Sequence, residues 1–325
     1  MTSIKLPDAL TGTRILGIGS YQPETIVTNH DLAKVMETSD EWIRDRVGIA
    51  SRRFAGKDEK LTDMAVEAGA KAIADSGLAP TDVDAVIVAT CTMPSPIPNA
   101  AAQVAERIGV TAAPAFDVNA ACAGFCYALA TASDMVRSGS ARNVLVIGAE
   151  KLTDWVDPTD RSTAIIFADA AGAVVVGPGD EPSIGPVAWG SAGEMADTIA
   201  IADRNSSIHQ EGQAVFRWAT TQIAPVAIRA VELAGLELSD VDVFVPHQAN
   251  LRIVEAIAKR LRSKGAREDM VIARDIVESG NTSSASIPMA LDHMRAAGEI
   301  SSGDVVLLMG FGAGLSYAGQ VVRCP

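Results

Sequence analysis

The stretch Ala115-Phe116-Asp117-Val118-Asn119-Ala120-Ala121-Cys122-Ala123-Gly124-Phe125 decides how this chain is read. A short apolar run (Phe116, Val118) gives way to small side chains, and an Ala-rich, helix-prone segment follows from Phe125 to Met135. That order predicts a strand, a tight turn and a helix, with Cys122 in the turn. A thiol there meets free backbone N–H groups and the positive end of the helix dipole, which favour the thiolate. The small neighbours leave the sulfur reachable, and only a thiolate attacks carbonyl carbon efficiently. The pattern therefore suits a cysteine nucleophile on a strand-to-helix elbow. The same residues also suit a buried structural cysteine, a common fate of a free thiol.

Working outward, Arg14 to Gly19 reads as a short buried strand, and a loop through Pro23 leads to Thr28-Asn29-His30-Asp31. There Asn29 is the expected cap of a helix from Asp31 to Met36. Ser39 is the expected cap of the next helix, which carries Trp42, with the basic trio Arg44, Arg46 and Arg52 close by. A helix from Asp63 to Ser76 should stop at Gly77. A strand from Val83 to Ala89, a Pro-rich loop (Pro94, Pro96, Pro98) and a helix from Ala100 to Ile108 lead to the opening stretch. Strands Asn143–Gly148 and Gly172–Val176 close this half. Alternating helices and strands mean α/β layers with largely right-handed crossovers.

The second half repeats the first. Gly77-Leu78 precedes Asp82-Val83-Asp84 and a β-rich run, just as Gly235-Leu236 precedes Asp240-Val241-Asp242 and another. In the same order, Ala100–Ile108 corresponds to Leu251–Leu261, and Val144–Gly148 to Val305–Gly310. Three ordered matches indicate a duplicated α/β unit whose strand-end loops meet at a shared cleft. The expected division is residues 1–180 and 181–325, fused as one body because no flexible linker separates them.

Composition narrows the function classes. Of 325 residues, 48% are hydrophobic and 21% charged, so a packed soluble core is expected. A formal charge of −13 argues against a nucleic-acid partner, because neutralising phosphates needs a basic face. No signal-peptide pattern and no bilayer-length apolar run is present, so a cytoplasmic protein with no membrane partner is expected. Cys91, Cys122, Cys126 and Cys324 form no Cys-x-x-Cys pair and no zinc spacing, which fits reduced thiols and no metal site.

Among the four histidines, His30 and His293 read as solvated, and His209 lies in a polar segment with no local reason to be fixed. His247 differs. It follows Val241-Asp242-Val243-Phe244-Val245-Pro246 and precedes Gln248-Ala249-Asn250, so a strand end delivers it to a helix start, where open α/β sheets place chemistry. The alternative is a histidine that caps its own helix. The turn Ser279-Gly280-Asn281-Thr282-Ser283-Ser284 sits between a β-rich run (Val271–Ile276) and a helix (Ile287–Ala297). Asn281 there is either an ordinary turn residue or an amide donor for a carbonyl oxygen, uncharged at every pH. Gly310-Phe311-Gly312-Ala313-Gly314 follows the last long strand and can present backbone N–H groups to an oxyanion, or merely turn.

With Ala121-Cys122-Ala123-Gly124-Phe125, Pro246-His247-Gln248-Ala249-Asn250, Gly280-Asn281-Thr282-Ser283 and Gly310-Phe311-Gly312-Ala313-Gly314 in this order, the chain resembles a β-ketoacyl-acyl-carrier-protein synthase III over nearly its whole length. The ending Gly314-Leu315-Ser316-Tyr317-Ala318-Gly319-Gln320 is similar to the actinobacterial type. The resemblance implies a thiolase-like five-layered α/β/α/β/α fold and a homodimer that needs no cofactor beyond its CoA thioester substrates. It implies that Cys122 takes a starter acyl group from acyl-CoA, and that His247 and Asn281 hold the thioester carbonyl of malonyl-acyl-carrier protein during decarboxylation. Backbone N–H groups of Cys122 and Ala313 would hold the second oxyanion. Trp42, Arg46 and Arg161 match CoA-binding positions. Arg217, Arg252, Lys259 and Arg260 match a rim that docks the acidic carrier protein, and Ile97 and Phe311 match the acyl pocket. Two features depart from the family. The segment between Glu194 and Glu211 is short, near the pantetheine entrance. Ile97 also stands where many members have Phe in the partner subunit's pocket, which hints at a longer or branched starter. The competing readings are plain acyl transfer to an alcohol or amine, an acyl-Cys122 hydrolase, and a non-catalytic chain-length partner.

Overall fold

The computed structural model of the protein describes residues 12–325. Its first half runs β1 (Gly12–Tyr21), β2 (Thr25–Thr28), α1 (Asn29–Leu32), α2 (Asp40–Val47), β3 (Ser51–Phe54), α3 (Leu61–Ser76), β4 (Ala85–Ala89), α4 (Ala100–Ile108), β5 (Ala115–Val118), α5 (Gly124–Arg137), β6 (Val144–Lys151) and β7 (Asp169–Gly179). There follow β8 (Ala188–Ser191), a small hairpin of β9 (Ile199–Ala200) and β10 (His209–Gln210), α6 (Gly212–Leu233), β11 (Val243–Pro246), α7 (Leu251–Arg262), β12 (Val271–Ile272), α8 (Ile276–Ser279), α9 (Ser286–Ala296), β13 (Val305–Phe311) and β14 (Ser316–Arg323).

The duplication is one of topology. The two five-stranded sheets have the orders β1-β7-β6-β4-β5 and β8-β14-β13-β11-β12. In each, three strands are parallel (β6-β4-β5; β13-β11-β12) and the remaining two join antiparallel. The same local chemistry starts both central strands. The Asp84 carboxylate accepts the N–H of Asn143 at 2.9 Å, and the Asp242 carboxylate accepts that of Val305 at 2.9 Å. Each aspartate thereby pins a central strand to its neighbour.

The layers follow from where the apolar faces point. Helices α3 and α4 cover the outer face of the first sheet, and α6 and α7 that of the second. Helices α5 and α9 lie between the sheets, sharing one core with both. Small residues make the close packing possible. A Cβ on Gly17 of β1 would lie 2.4 Å from the Ala72 carbonyl oxygen of α3. The result is the five-layered α/β/α/β/α arrangement.

One local expectation is corrected. Thr28, not Asn29, caps the first short helix, its hydroxyl accepting the N–H of Asp31, and that helix ends at Leu32 instead of Met36. Asn29 is buried instead, its amide donating to Asp40 and to the Ile49 carbonyl while its oxygen accepts from Arg52. Arg52, grouped in sequence with the surface basic residues, is fully buried behind it. Ser39 does cap α2, accepting from the N–H of Trp42, and Gly77 ends α3 in the left-handed conformation at φ 73°.

Candidate active site

A cleft of about 790 Å³ gathers strand-end residues from both sheets, reaching from Trp42 and Arg161 to Cys122, His247 and Asn281. Two matching turns build its reactive end. Asn119 precedes Cys122 by the same spacing that separates Asn281 from Ser284, and each asparagine oxygen accepts the N–H two residues on, from Ala121 at 3.4 Å and Ser283 at 2.9 Å. Ala121 and Ser283 both adopt left-handed backbone, φ 46° and 49°, and a short 3-10 turn then enters α5 and α9 respectively. Non-glycine residues in that region are strained by roughly 1–3 kcal/mol, a cost that clusters at functional turns.

Cys122 stands in the first of these turns. The Gly-rich turn after β13 closes on it so tightly that a Cβ on Gly312 would lie 2.6 Å from the cysteine Cβ and 2.8 Å from its sulfur. Burial pushes the thiol up to about 11, and the Glu150 carboxylate adds to that; the Ser283 hydroxyl and backbone groups of Ala313 and Cys122 pull the other way. The expectation of a stabilised thiolate is therefore corrected. The backbone donors are in place, but desolvation outweighs them.

His247 leaves the end of β11 and is buried at 1% exposure. It does not cap its helix; Asn250 does, accepting the N–H of Arg252. Its Nδ1 lies 2.7 Å from the Ser286 hydroxyl, which also accepts the N–H of Gln248. A hydroxyl held this way can donate to Nδ1, which puts the ring proton on Nε2. Phe311 packs edge-on against the imidazole, 5.4 Å between ring centres. Burial lowers the histidine to about 3, with a weak opposing backbone bond at Ser283, so the ring is neutral. Asn281 is oriented just as firmly. Its Oδ1 takes the Ser283 N–H, its backbone bonds to Ile166 and Ala168, and among the described residues its Nδ2 reaches only the Ala249 carbonyl, at 3.5 Å. One amide N–H remains for the cleft.

Two guanidinium groups lie against Trp42 on α2, Arg161 at 4.6 Å and Arg46 at 5.1 Å from the ring centre. Arg217 and Arg252 line the cleft, Arg252 resting over Phe216, while Lys259 and Arg260 lie exposed further along α7. The short segment before α6 forms the β9–β10 hairpin, which puts Ile199 and Gln210 on the cleft wall. Ile97 is 79% exposed and lies outside its own chain's cleft. His30 and His209 are exposed, whereas His293, read as solvated, is half-buried and bonded to Asp275 at 2.7 Å. Sequence reasoning gave no site role to Cys91, Glu150 or Ser283, which neighbour Cys122. Only Glu150 carried a signal, as an acid ending an otherwise apolar strand.

Paired sheets around buried helices, with both halves contributing to one cleft, define the thiolase fold of condensing enzymes. Among solved structures, the priming β-ketosynthase from the R1128 polyketide biosynthetic pathway matches with a TM-score of 0.95 at 41% identity, covering 100% of this chain and 99% of that one. The 3-oxoacyl-(acyl carrier protein) synthase III of Pseudomonas aeruginosa PAO1 matches at 0.91 and 38% identity, covering 97% and 98%. The β-ketoacyl-[acyl-carrier-protein] synthase III 4 of Streptomyces coelicolor is 54% identical, covering 97% of this chain and 99% of its own length. Family models for 3-oxoacyl-[acyl-carrier-protein (ACP)] synthase III match residues 116–193 and, for the C-terminal part, residues 231–324. The chain belongs to the 3-oxoacyl-[acyl-carrier-protein] synthase III family.

Proposed function

We propose that this protein starts fatty-acid or polyketide chains by condensing a starter acyl-CoA with malonyl-acyl-carrier protein. The observation that carries the reading is the convergence of one thiol, Cys122, with two neutral, fixed donors, His247 and Asn281, at the end of one cleft. Cys122 attacks the acyl-CoA carbonyl, its thiol proton ends on the departing CoA sulfur, and N–H groups of Cys122 and Ala313 hold the transient oxyanion. Malonyl-carrier protein then enters. Carbon dioxide leaves, the electron pair flows onto the thioester oxygen, and His247 Nε2–H and Asn281 Nδ2–H stabilise the enolate where its charge develops. Neutral donors suit this step, because an imidazolium would protonate the carbanion. The enolate carbon attacks acyl-Cys122, the carbon–sulfur bond breaks, and the cysteine sulfur takes up a proton.

The remaining residues fit the same sequence. A nucleobase of CoA would stack on Trp42 and the Arg161 guanidinium, with Arg46 beside them. Arg217, Arg252, Lys259 and Arg260 give an acidic carrier a local positive landing site on a chain of net charge −13. Among the described residues the edge strand β5 pairs only with β4, and Ile97 stands exposed outside its own chain's cleft, which supports a homodimer in which Ile97 enters the partner subunit's acyl pocket; a cytoplasmic location belongs to the same reading. In this reading residues 1–180 present the electrophile and residues 181–325 generate the carbanion. Intact-mass and peptide analysis after incubation with a panel of acyl-CoAs tests the proposal and names the starter. The expected result is an acyl adduct on Cys122, followed by carbon dioxide release from malonyl-carrier protein. No adduct with any acyl-CoA overturns the scheme, and an adduct without carbon dioxide release points instead to plain acyl transfer.

A further inference from the structure

Glu150 ends the apolar run of β6 and is fully buried behind the cleft wall, which it does not itself line. Its carboxylate gathers donors from two places. On the loop after β4 it accepts from the Thr90 hydroxyl at 3.1 Å, the Cys91 N–H at 3.1 Å and the Thr92 hydroxyl at 2.6 Å. From the turn that carries Asn281 it accepts the Ser283 hydroxyl at 3.0 Å and the Ser284 hydroxyl at 2.9 Å. Ser284 shares its one proton with the Ala89 carbonyl, 2.8 Å away. These bonds replace the hydration a buried carboxylate loses. Lys151, its chain neighbour, points elsewhere and donates to the Gly56 and Glu59 carbonyls. Condensation has no proton for this acid to move.

The Asn281 amide depends on that turn. Its firm contact is the Ser283 N–H, 2.9 Å from Oδ1, against 3.5 Å from Nδ2 to the Ala249 carbonyl. That N–H is presented only while Ser283 keeps its left-handed backbone, φ 49°, which a residue other than glycine adopts at a cost. The matching turn of the first half lacks such a tether. Ala121 stands where Ser283 does, with a methyl for the hydroxyl, and its N–H lies 3.4 Å from the Asn119 oxygen. The tethered turn holds its asparagine closer. We propose that Glu150 is a positioning residue for Asn281: through the Ser283 and Ser284 hydroxyls it anchors the strained turn, so that the Ser283 N–H fixes Oδ1 and leaves an amide N–H aimed into the cleft. This role rests on the reading of Asn281 as an enolate donor. The loop after β4 supplies the fixed end, because the donors of Thr90, Cys91 and Thr92 keep the carboxylate from following the turn. An acid on the first half's sheet thereby sets the geometry of a donor supplied by the second.

The test is carbon dioxide release from malonyl-CoA with a radiolabelled carboxylate, a step that does not use the thiol, so changes at Cys122 stay out of it. Ser283→Ala cuts the tether, and Ala121 shows that alanine can take up this backbone. It should lower decarboxylation about tenfold, the effect of a donor that is present but misplaced. In an Asn281→Ala protein nothing is left to position, and the same change should cost less than about twofold. Glu150→Gln keeps the volume but leaves one acceptor oxygen for two sets of donors. It should cost about threefold alone and little more when added to Ser283→Ala. A merely structural acid would lower decarboxylation equally with and without the Asn281 amide. That result, or an unchanged rate in Ser283→Ala, overturns the proposal. If Glu150→Gln does not fold, Ser283→Ala with and without Asn281→Ala decides alone. No carbon dioxide from the unaltered protein removes the enolate-donor reading itself, and the positioning role with it.

Discussion

At Cys122 and His247 burial sets the protonation state, and it keeps both groups neutral. For the histidine this has a definite sign. Its pKa is lowered from 6.5 to about 3, so the ring stays neutral as pH falls through the ordinary histidine range and takes up a proton only in much stronger acid. Carbon dioxide release from a malonyl thioester should therefore show no limb at about pH 6.5, the usual histidine value. A histidine limb there would contradict the neutral-donor role. Replacing His247 by Ala removes one of the two proposed enolate donors. Decarboxylation should fall by roughly 10²–10³-fold, the effect of losing one oxyanion donor, while Cys122 acylation stays measurable. Equal loss of both steps in separate acylation and decarboxylation assays would sink this division of labour.

Among the elements, the turns do the precise work and the sheets hold them still. Turn residues Ala121 and Ser283 carry left-handed backbone in equivalent places, and each strand end of one half packs on the turn of the other. A Cβ on Gly148 of β6 would lie 2.3 Å from the Ser284 carbonyl, and one on Gly310 of β13 would lie 3.0 Å from the Ala123 Cα. The Gly312 contact is sharper still, because its φ of −179° is ordinary extended backbone, so the need for glycine there is purely steric. Gly312→Ala should displace the turn that carries the Ala313 N–H. Acyl-Cys122 formation should slow by about a hundredfold and stability should fall by about 1–3 kcal/mol, the usual cost of overpacking. Stopped-time mass analysis and a melting curve check both, and acylation at the unaltered rate would show that the turn takes no part.

Across the whole molecule, charge is unevenly used. A chain of net charge −13 repels an acidic partner everywhere except at a local basic rim, so docking should depend strongly on a few residues and on salt. Arg252→Glu, on the exposed first turn of α7, should raise the apparent KM for malonyl-carrier protein about tenfold at low salt and much less at high salt. The KM for malonyl-CoA, which does not need the rim, should change little. Steady-state kinetics with the two malonyl donors separate these outcomes, and equal changes for both would remove the rim from carrier recognition.

Much of this was legible in the residues themselves. Helix Ala100–Ile108 has the limits its pattern predicts, capped by Asn99, and the recurrence of Gly77 with Gly235 and Asp84 with Asp242 announced two copies of one topology. The strand, turn and helix around Cys122 were readable because side-chain periodicity, caps and breakers act over three or four residues. Even so, Thr28 and Asn29 compete for one cap, and the winner depends on Arg52, far along the chain, which needs the Asn29 oxygen. The same limit applies to the candidate site. Sequence alone determined which residue types could serve as nucleophile and donors, and the order in which a duplicated fold would present them. Only the tertiary structure decided their states: the burial that keeps Cys122 and His247 neutral, and the Glu150 carboxylate that joins Thr90, Thr92, Ser283 and Ser284. Desolvation and charge are sums over neighbours brought together from distant parts of the chain, and no local pattern carries such a sum.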